Sequence, residues 1–336
     1  MVKKHVKDTD HGAATLVTVS SSEIPLREVS GLAIATLGGT PRLVAVGDRG
    51  PNVAIAELPS GTSVGPWSVI DLSELDTPSG APRVRQAEAI AHDGVRTAVV
   101  LIEDPPLLLV LDTHDRRLSA AVTLDASGTG VDAAWRDDAA SRGEGIVLMR
   151  DGHALIVKEK RPTGLLEFGP AGDQPFGISR HSLHRHGEQW SPPSVGSLAA
   201  LAWWPAPTRL RDLSDAAVGP DGALFLLSDQ DNAIARLELP LMPGETMTYG
   251  HIWRLPDAVE KAEGLAILPD GTVLVAVDRA DIGRNLATFG SLPWRRSGEA
   301  DSGRLAGNPP VSQWHALLLG AISANPAPPT DHRRPP

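Results

Sequence analysis

Apolar and polar residues alternate along most of this chain in short runs, and the runs come in pairs. The clearest pair is KAEGLAILPDGTVLVAVDR at 261–279, where Leu265 and Ile267 mark one face of a first run and Val273 to Val277 form a second. Between the two stands Asp270-Gly271. Period-two alternation on both sides of an Asp-Gly pair predicts a β-hairpin with a two-residue type I′ turn, in which both turn residues take positive φ. Glu263 opens this hairpin, with the Asp-Gly pair seven and eight residues later and Asp278 fifteen residues later. A two-residue loop sets Asp278 directly across the ladder from Glu263. Like charges so placed repel, which calls for a compensating group.

The spacing recurs. Ser214 opens SDAAVGPDGALFLLSD and is followed by Asp221-Gly222 and Asp229 at the same intervals. Glu144 opens EGIVLMRDGHALIVKE, with Asp151-Gly152 and Glu159, and Glu88 opens EAIAHDGVRTAVVLIE, with Glu103 fifteen residues on. Ser30 opens a version with a longer loop, ending at Asp48. Five copies at intervals of 49 to 70 residues, built of strands with no helical repeat, predict a β-propeller. The expected fold is all-β, a five-bladed β-propeller with a central acidic channel. Six blades is the alternative, with a degenerate blade in 293–320. The expected layout is a disordered 1–13 and a propeller over 14–292, its last blade closed by a strand at Thr15 to Ser20. A segment 293–321 would pack on the propeller, with Val311 to Leu319 as strand or short helix, and 322–336 would be a disordered Pro-rich tail. Val131 to Arg142 reads as a helical or loop excursion. Gly169 to Arg211, which holds His181, His184, His186 and Trp203-Trp204, reads as a long connection forming a lid.

Composition narrows the partners. The chain has 336 residues, a net charge of −10 and no cysteine. Disulfides, thiolate metal sites and cysteine nucleophiles are thereby excluded. The acidic balance argues against nucleic acid, and no apolar run approaches the ~18 residues of a membrane helix. The expectation is a cytoplasmic monomer that handles a small molecule, with neither nucleic acid nor membrane as partner.

In a propeller the first strand of each blade lines the axis, so Ser30, Glu88, Glu144, Ser214 and Glu263 converge. Three carboxylates and two hydroxyls make an all-oxygen donor set suited to Ca²⁺ or Mg²⁺ rather than zinc or copper. Without a cation, carboxylates this crowded raise one another's pKa. Behind them stand Asp48, Glu103 with Asp104, Glu159, Asp229 and Asp278, interleaved with Arg49, Lys158, Lys160 and Arg279. An ion flanked by Lys and Arg suits phosphoryl or acyl transfer, with a carboxylate orienting water. The competing reading of the same residues is ion pairing around a rim. Three functions follow: a metal-dependent hydrolase of a phosphoric ester, anhydride or other ester; a non-catalytic ligand- or protein-binding propeller with a structural ion; and a lactonase-like or biosynthetic enzyme. Weaker signals are Gly61 to Gly65, a G-x-S-x-G match between two expected strands, the HSLHRH histidines, and the Asp229/Asp231 pair in SDQDN.

Several short blocks resemble known families. KEKRP at 158–162, SDAAVGPDGALFLLSDQ and AEGLAILPDG are similar to blocks of the SdiA-regulated propellers and of the "esterase-like activity of phytase" group. EVSGL with VGDRG (28–32, 46–50), QAEAIA and AEGLAI resemble the calcium-activated nucleotidases, or apyrases. That resemblance implies a central calcium held at Ser30, Glu88, Glu144, Ser214 and Glu263. Gly47 departs from the apyrase pattern, which has an Asp there, and the long inserted segments of that family are missing.

Overall fold

A computed structural model of the chain describes residues 13–292 apart from 38–39, 59–62, 77–85, 130, 138–141, 193–195 and 281. The expected C-terminal segment and tail, and residues 1–12, lie outside the described residues. After β1 (Thr18–Ser22) the described strands fall into five four-stranded modules. Module 1 is β2 (Val29–Leu37), β3 (Thr40–Gly47), β4 (Asn52–Glu57) and β5 (Trp67–Asp71). Module 2 is β6 (Ala89–His92), β7 (Thr97–Ile102), β8 (Leu107–Asp112) and β9 (Arg117–Asp125), followed by a short helix, α1 (Asp132–Asp137). Module 3 is β10 (Gly145–Leu148), β11 (Ala154–Lys158), β12 (Gly164–Gly169) and β13 (Ser197–Pro205). Module 4 is β14 (Asp215–Val218), β15 (Leu224–Ser228), β16 (Ala233–Leu237) and β17 (Tyr249–Arg254). Module 5 is β18 (Ala262–Ile267), β19 (Thr272–Val277) and β20 (Leu286–Ser291), completed by β1, which pairs antiparallel with β20.

The first strands of the modules are neighbours in cyclic order, β2 beside β6, β6 beside β10, then β14, β18 and β2 again. Apolar clusters fill the spaces between consecutive modules. Val44, Val46 and Ile55 of module 1 meet Ile90, Val100 and Leu109 of module 2, and Leu32, Leu43 and Ala54 meet Ala266, Leu274 and Ala276 of module 5. Sandwiching buries the middle strands on both faces, which is why β7 (TAVVLI) and β19 (TVLVAV) are apolar without interruption. The outermost strand β9 alternates between buried and exposed residues. Edges are covered too: β13 pairs in parallel with β9 through Ser197–Thr123, and Leu16 and Ala14 bond the main chain of Arg254. This nearly all-β arrangement of repeated sheets is consistent with a propeller.

Two expectations change. The connection Gly169 to Arg211 is shorter than it reads, because the Trp203-Trp204 stretch is β13, with Trp204 fully buried and its Nε1 donating to Met242 O at 3.0 Å. In module 3 Asp151 and Gly152 both take positive φ, as a type I′ turn requires, but the turn of module 5 is not a two-residue loop. In module 5 the ladder ends with Leu268 N–H on Thr272 O, so Pro269, Asp270 and Gly271 form the loop, and of these only Gly271 has positive φ. Proline at the first loop position holds φ near −65° and excludes the type I′ geometry.

Close approach governs the start of each first strand. A Cβ at Gly31 would lie 2.9 Å from Ala89 Cα, and one at Gly264 would lie 3.2 Å from the carbonyl carbon of Gly31. Backbone atoms cannot give way as a side-chain tip does. Gly31→Val is therefore expected to destabilise by about 1–3 kcal/mol in urea unfolding, whereas Gly290→Ala, with open space around it, stays within about 0.5 kcal/mol.

Candidate functional site

All five first strands begin with a β-bulge. In modules 1 and 5 the ladder skips from Val29 to Gly31 and from Ala262 to Gly264, leaving Ser30 and Glu263 as the extra residues. In modules 2, 3 and 4 the N–H groups of Glu88, Glu144 and Ser214 bond the carbonyls of Leu101, Val157 and Leu227, which pair with the next residue, Ala89, Gly145 and Asp215. A bulge re-aims a side chain and slips the register. This corrects the expected Glu263–Asp278 opposition. Asp278 N–H bonds Lys261 O instead, and Lys261 Nζ meets Asp278 Oδ2 at 2.8 Å, so the residue facing the carboxylate is a cation.

The acids fifteen residues on, and the serines, join one module to the next. Ser30 Oγ donates to Ala87 O at 2.5 Å and Gln86 Nε2 to Asp48 Oδ1 at 2.9 Å, linking modules 1 and 2. Arg142 N–H donates to Glu103 Oε1 at 2.9 Å, and Leu213 N–H to Glu159 O at 3.2 Å. Ser214 Oγ donates to Ala262 O at 2.7 Å while Ala262 N–H reaches Asp229 Oδ1 at 3.2 Å. Glu28 N–H on Arg279 O closes the circuit from module 5 to module 1.

Inside that circuit the carboxylates crowd. Burial and then the charges of Glu103, Asp48 and Glu159 push Glu88 up to about 8. Burial, then Glu159 and Asp104, raise Glu103 to about 7 against the pull of Arg142. Glu144 is held well above the usual range by burial and by Glu88, Glu103, Glu159 and Glu263, and Glu263 by burial and by Asp229, Glu159, Asp278 and Asp212. Glu159 and Asp229 are raised as well, chiefly by burial. The cations are committed: Lys160 Nζ lies 2.7 Å from Glu159, Arg49 pairs with Glu28 at 2.8 Å, and Arg142 pairs with Asp104 at 3.2 Å. Lys158 is fully buried and donates to Lys160 O at 2.8 Å, and Arg279 is exposed at the rim. Asp278 Oδ1 has no hydrogen-bond partner among the described residues. No group of three or more His, Asp or Glu side chains among the described residues stands close enough to hold a metal ion as placed.

The opposite end, where the turns lie, is stoppered by 178–190. His184 N–H bonds Leu148 O, Gly187 N–H bonds Asp93 O, and Trp190 donates through its main chain to Asp93 Oδ2 and through Nε1 to Met149 O. His186 Nε2 lies 3.0 Å from Thr36 Oγ1, and His184 Nε2 lies 2.8 Å from Glu188 O, so two of the three histidines serve this packing. Farther along, buried Glu167 holds His153 at 2.9 Å and the main chain of Phe176 and Gly177. The HSLHRH stretch is thus a lid, but over the end away from the carboxylates. Ser63 to Gly65 join one strand to another, β4 to β5, with Gly61 and Thr62 outside the described residues, and no nucleophile elbow follows from a strand-to-strand link. In SDQDN, Asp231 is spent on Arg211 at 3.0 Å.

Two buried acids lie outside the repeat pattern and escape a reading of it. Asp212 accepts Ser228 Oγ at 2.5 Å and Gln230 N–H at 3.2 Å, and its charge bears on Glu159, Asp229 and Glu263. Asp215 follows Ser214 where the other modules have Gly31, Ala89, Gly145 and Gly264. That break in an otherwise small-residue position is the signal that marks it.

No family model matches the chain, and no curated protein matches it, so the resemblance to the SdiA-regulated, phytase-like and apyrase groups stands on the short blocks alone. Among solved structures the chain is similar to the glutaminyl cyclase of Myxococcus xanthus, at 12% identity over 83% of this chain and 97% of that one, with a TM-score of 0.46. It is similar to the PQQ-bound aldose sugar dehydrogenase of Streptomyces coelicolor at 11% identity over 82% and 96%, again with a TM-score of 0.46. A streptogramin B lyase shares 10% identity over 82% and 73%, with a TM-score of 0.37. At these values the likeness assigns no activity to this chain. No helix among the described residues is long and apolar enough to cross a membrane.

The crowding has a consequence for stability. Glu88 binds its proton more tightly folded, at about 8, than unfolded, near 4.5, so its contribution is complete below pH ~4.5 and is lost as pH rises through ~8. His92 and His186, both lowered by burial, act in the opposite sense but below pH ~6.5, where unfolded histidine titrates. Between pH 6.5 and 8.5 Glu88 alone is therefore expected to account for a loss of about 2 kcal/mol in the ion-free protein. Glu88→Gln flattens that slope; an equal slope in both proteins excludes Glu88 as its source.

Proposed function

We propose that the five modules are the blades of a closed five-bladed β-propeller, and that the acidic mouth takes up a hard divalent cation, Ca²⁺ before Mg²⁺, for the hydrolysis of a phosphoric ester, anhydride or other ester. The observation that carries the ion is the crowding of Glu88, Glu144 and Glu263 with Glu103 and Glu159, which leaves Glu88 protonated to about pH 8. An all-oxygen set of this kind fits Ca²⁺ in donor chemistry. As placed, these side chains form no three-ligand cage among the described residues. Glu88, Glu144 and Glu263 would hold the ion, with Ser30 and Ser214 as hydroxyl donors, since a hydroxyl that donates its proton to a carbonyl keeps its lone pairs. When bound, the ion supplies charge that polarises a phosphoryl or carbonyl oxygen. Glu103, at about 7, has the proton affinity suited to taking a proton from water near neutrality. Lys160, beside Glu159 and within the field of Glu144, places positive charge at the same mouth.

A second reading, a binding propeller with a structural ion, is favoured by one observation. Asp48, Glu103, Asp229 and both serines already serve contacts between blades.

Calorimetric titration of chelator-stripped protein separates these readings. Ca²⁺ is expected to bind and to raise Tm, and Glu144→Gln to weaken binding at least about tenfold, ~1.4 kcal/mol. Nucleotides, p-nitrophenyl phosphate, p-nitrophenyl esters and lactones are then offered with Ca²⁺ and with chelator. Ion-dependent turnover supports the hydrolase, and stabilisation without turnover supports the structural ion. Absence of any effect of Ca²⁺ or Mg²⁺ on Tm contradicts both.

A further inference from the structure

One level inside the mouth, the five first strands carry Gly31, Ala89, Gly145, Asp215 and Gly264. The glycines are there because backbone stands in the way of a side chain: a Cβ at Gly31 meets Ala89 Cα at 2.9 Å, and one at Gly145 meets Asp215 Cα and Oδ1 at 3.0 Å. Four positions therefore add nothing larger than a methyl group, and the fifth adds a carboxylate to the space they leave. Asp215 is 1% exposed. Its Oδ1 accepts Ala216 N–H at 2.7 Å, its Oδ2 accepts Leu265 N–H of module 5 at 2.7 Å, and the main-chain N–H of Leu32 in module 1 is a further donor. One side chain thus bonds modules 4, 5 and 1 and abuts module 3.

We infer that Asp215 is a positioning residue that closes the channel directly beneath Ser30, Glu88, Glu144, Ser214 and Glu263 and fixes the separation of their strand starts, making the acidic mouth a blind cup. First-strand N–H groups at this level have no ladder partner on the axis side, and the two oxygens of a carboxyl group can take several of them at once, donors that here oppose the burial holding Asp215 well above the usual carboxylate range. This deepens the ion-binding reading and rests on it only for what the cup holds.

The test follows amide hydrogen exchange in full-length, ion-free protein, so a failure of Ca²⁺ to bind leaves it intact. In the wild type the amides of Leu32 and Leu265 are expected to be protected by Asp215. Asp215→Ala, which gives module 4 the residue of module 2, is expected to speed exchange at both at least tenfold while Leu226 and Val275 keep their protection. Glu167→Gln, which loosens the far-end packing, lowers Tm without moving Leu32 or Leu265 selectively. A folded Asp215→Ala protein in which Leu32 and Leu265 stay protected overturns the inference. Should Asp215→Ala not fold, amide exchange in Asp215→Asn decides: Leu32 or Leu265 is expected to exchange at least tenfold faster while Leu226 and Val275 do not, and unchanged protection of both overturns it.

Discussion

Five strand starts meet at a spacing that leaves room for one side chain larger than a methyl group, that of Asp215. At Gly31 and Gly145 the next module's backbone stands within 3.0 Å of where a Cβ would be, and from that steric limit most of the site follows. Four modules keep small residues at this level, and their bulkier side chains stand one residue earlier. A bulge at each of the five starts swings Ser30, Glu88, Glu144, Ser214 and Glu263 out of the regular ladder. Side chains of one sign are thereby concentrated where solvent is scarce, and burial heads the causes that raise Glu88, Glu103, Glu144 and Glu263.

The chain answers this charge in two ways. Cations face individual acids at the rim, as Lys261 does Asp278 and Lys160 does Glu159. Main-chain N–H groups of the following module donate to Glu103, Asp229 and Asp215. Neither device reaches Glu88, Glu144 and Glu263 strongly enough to bring them to the ordinary carboxylate range. Acids crowded and buried in this way keep their protons at a pH where exposed carboxylates have lost them.

Much of this was legible from spacing. Alternating runs, around Asp-Gly pairs in modules 2 to 5 and around a longer loop in module 1, located every first and second strand, and the strand expected at Thr15 to Ser20 stands as β1 (Thr18–Ser22) on β20. Register was not legible. Pro269 before Asp270-Gly271 lengthens the loop and the bulge at Glu263 absorbs a residue, so counting fifteen from Glu263 reaches a position opposite Lys261. β13 was hidden because Ser197–Pro205 follows a long irregular excursion and its pairing with β9 is parallel and non-local. Asp212 and Asp215 stand outside the recurring spacing. Only the small residues that the other modules place beside Asp215 reveal that it occupies a crowded position.

The central claim is that Glu88 and its neighbours hold protons at neutrality because they are crowded at the axis. Calorimetric titration of Ca²⁺ into the ion-free protein at pH 7, in two buffers of different ionisation enthalpy, reads this directly. With Glu88 near 8 and Glu103 near 7, the ion is expected to displace about one proton or more, and the two heats to differ accordingly. Binding with identical heats in both buffers would mean that the carboxylates were already ionised, and the account would fail.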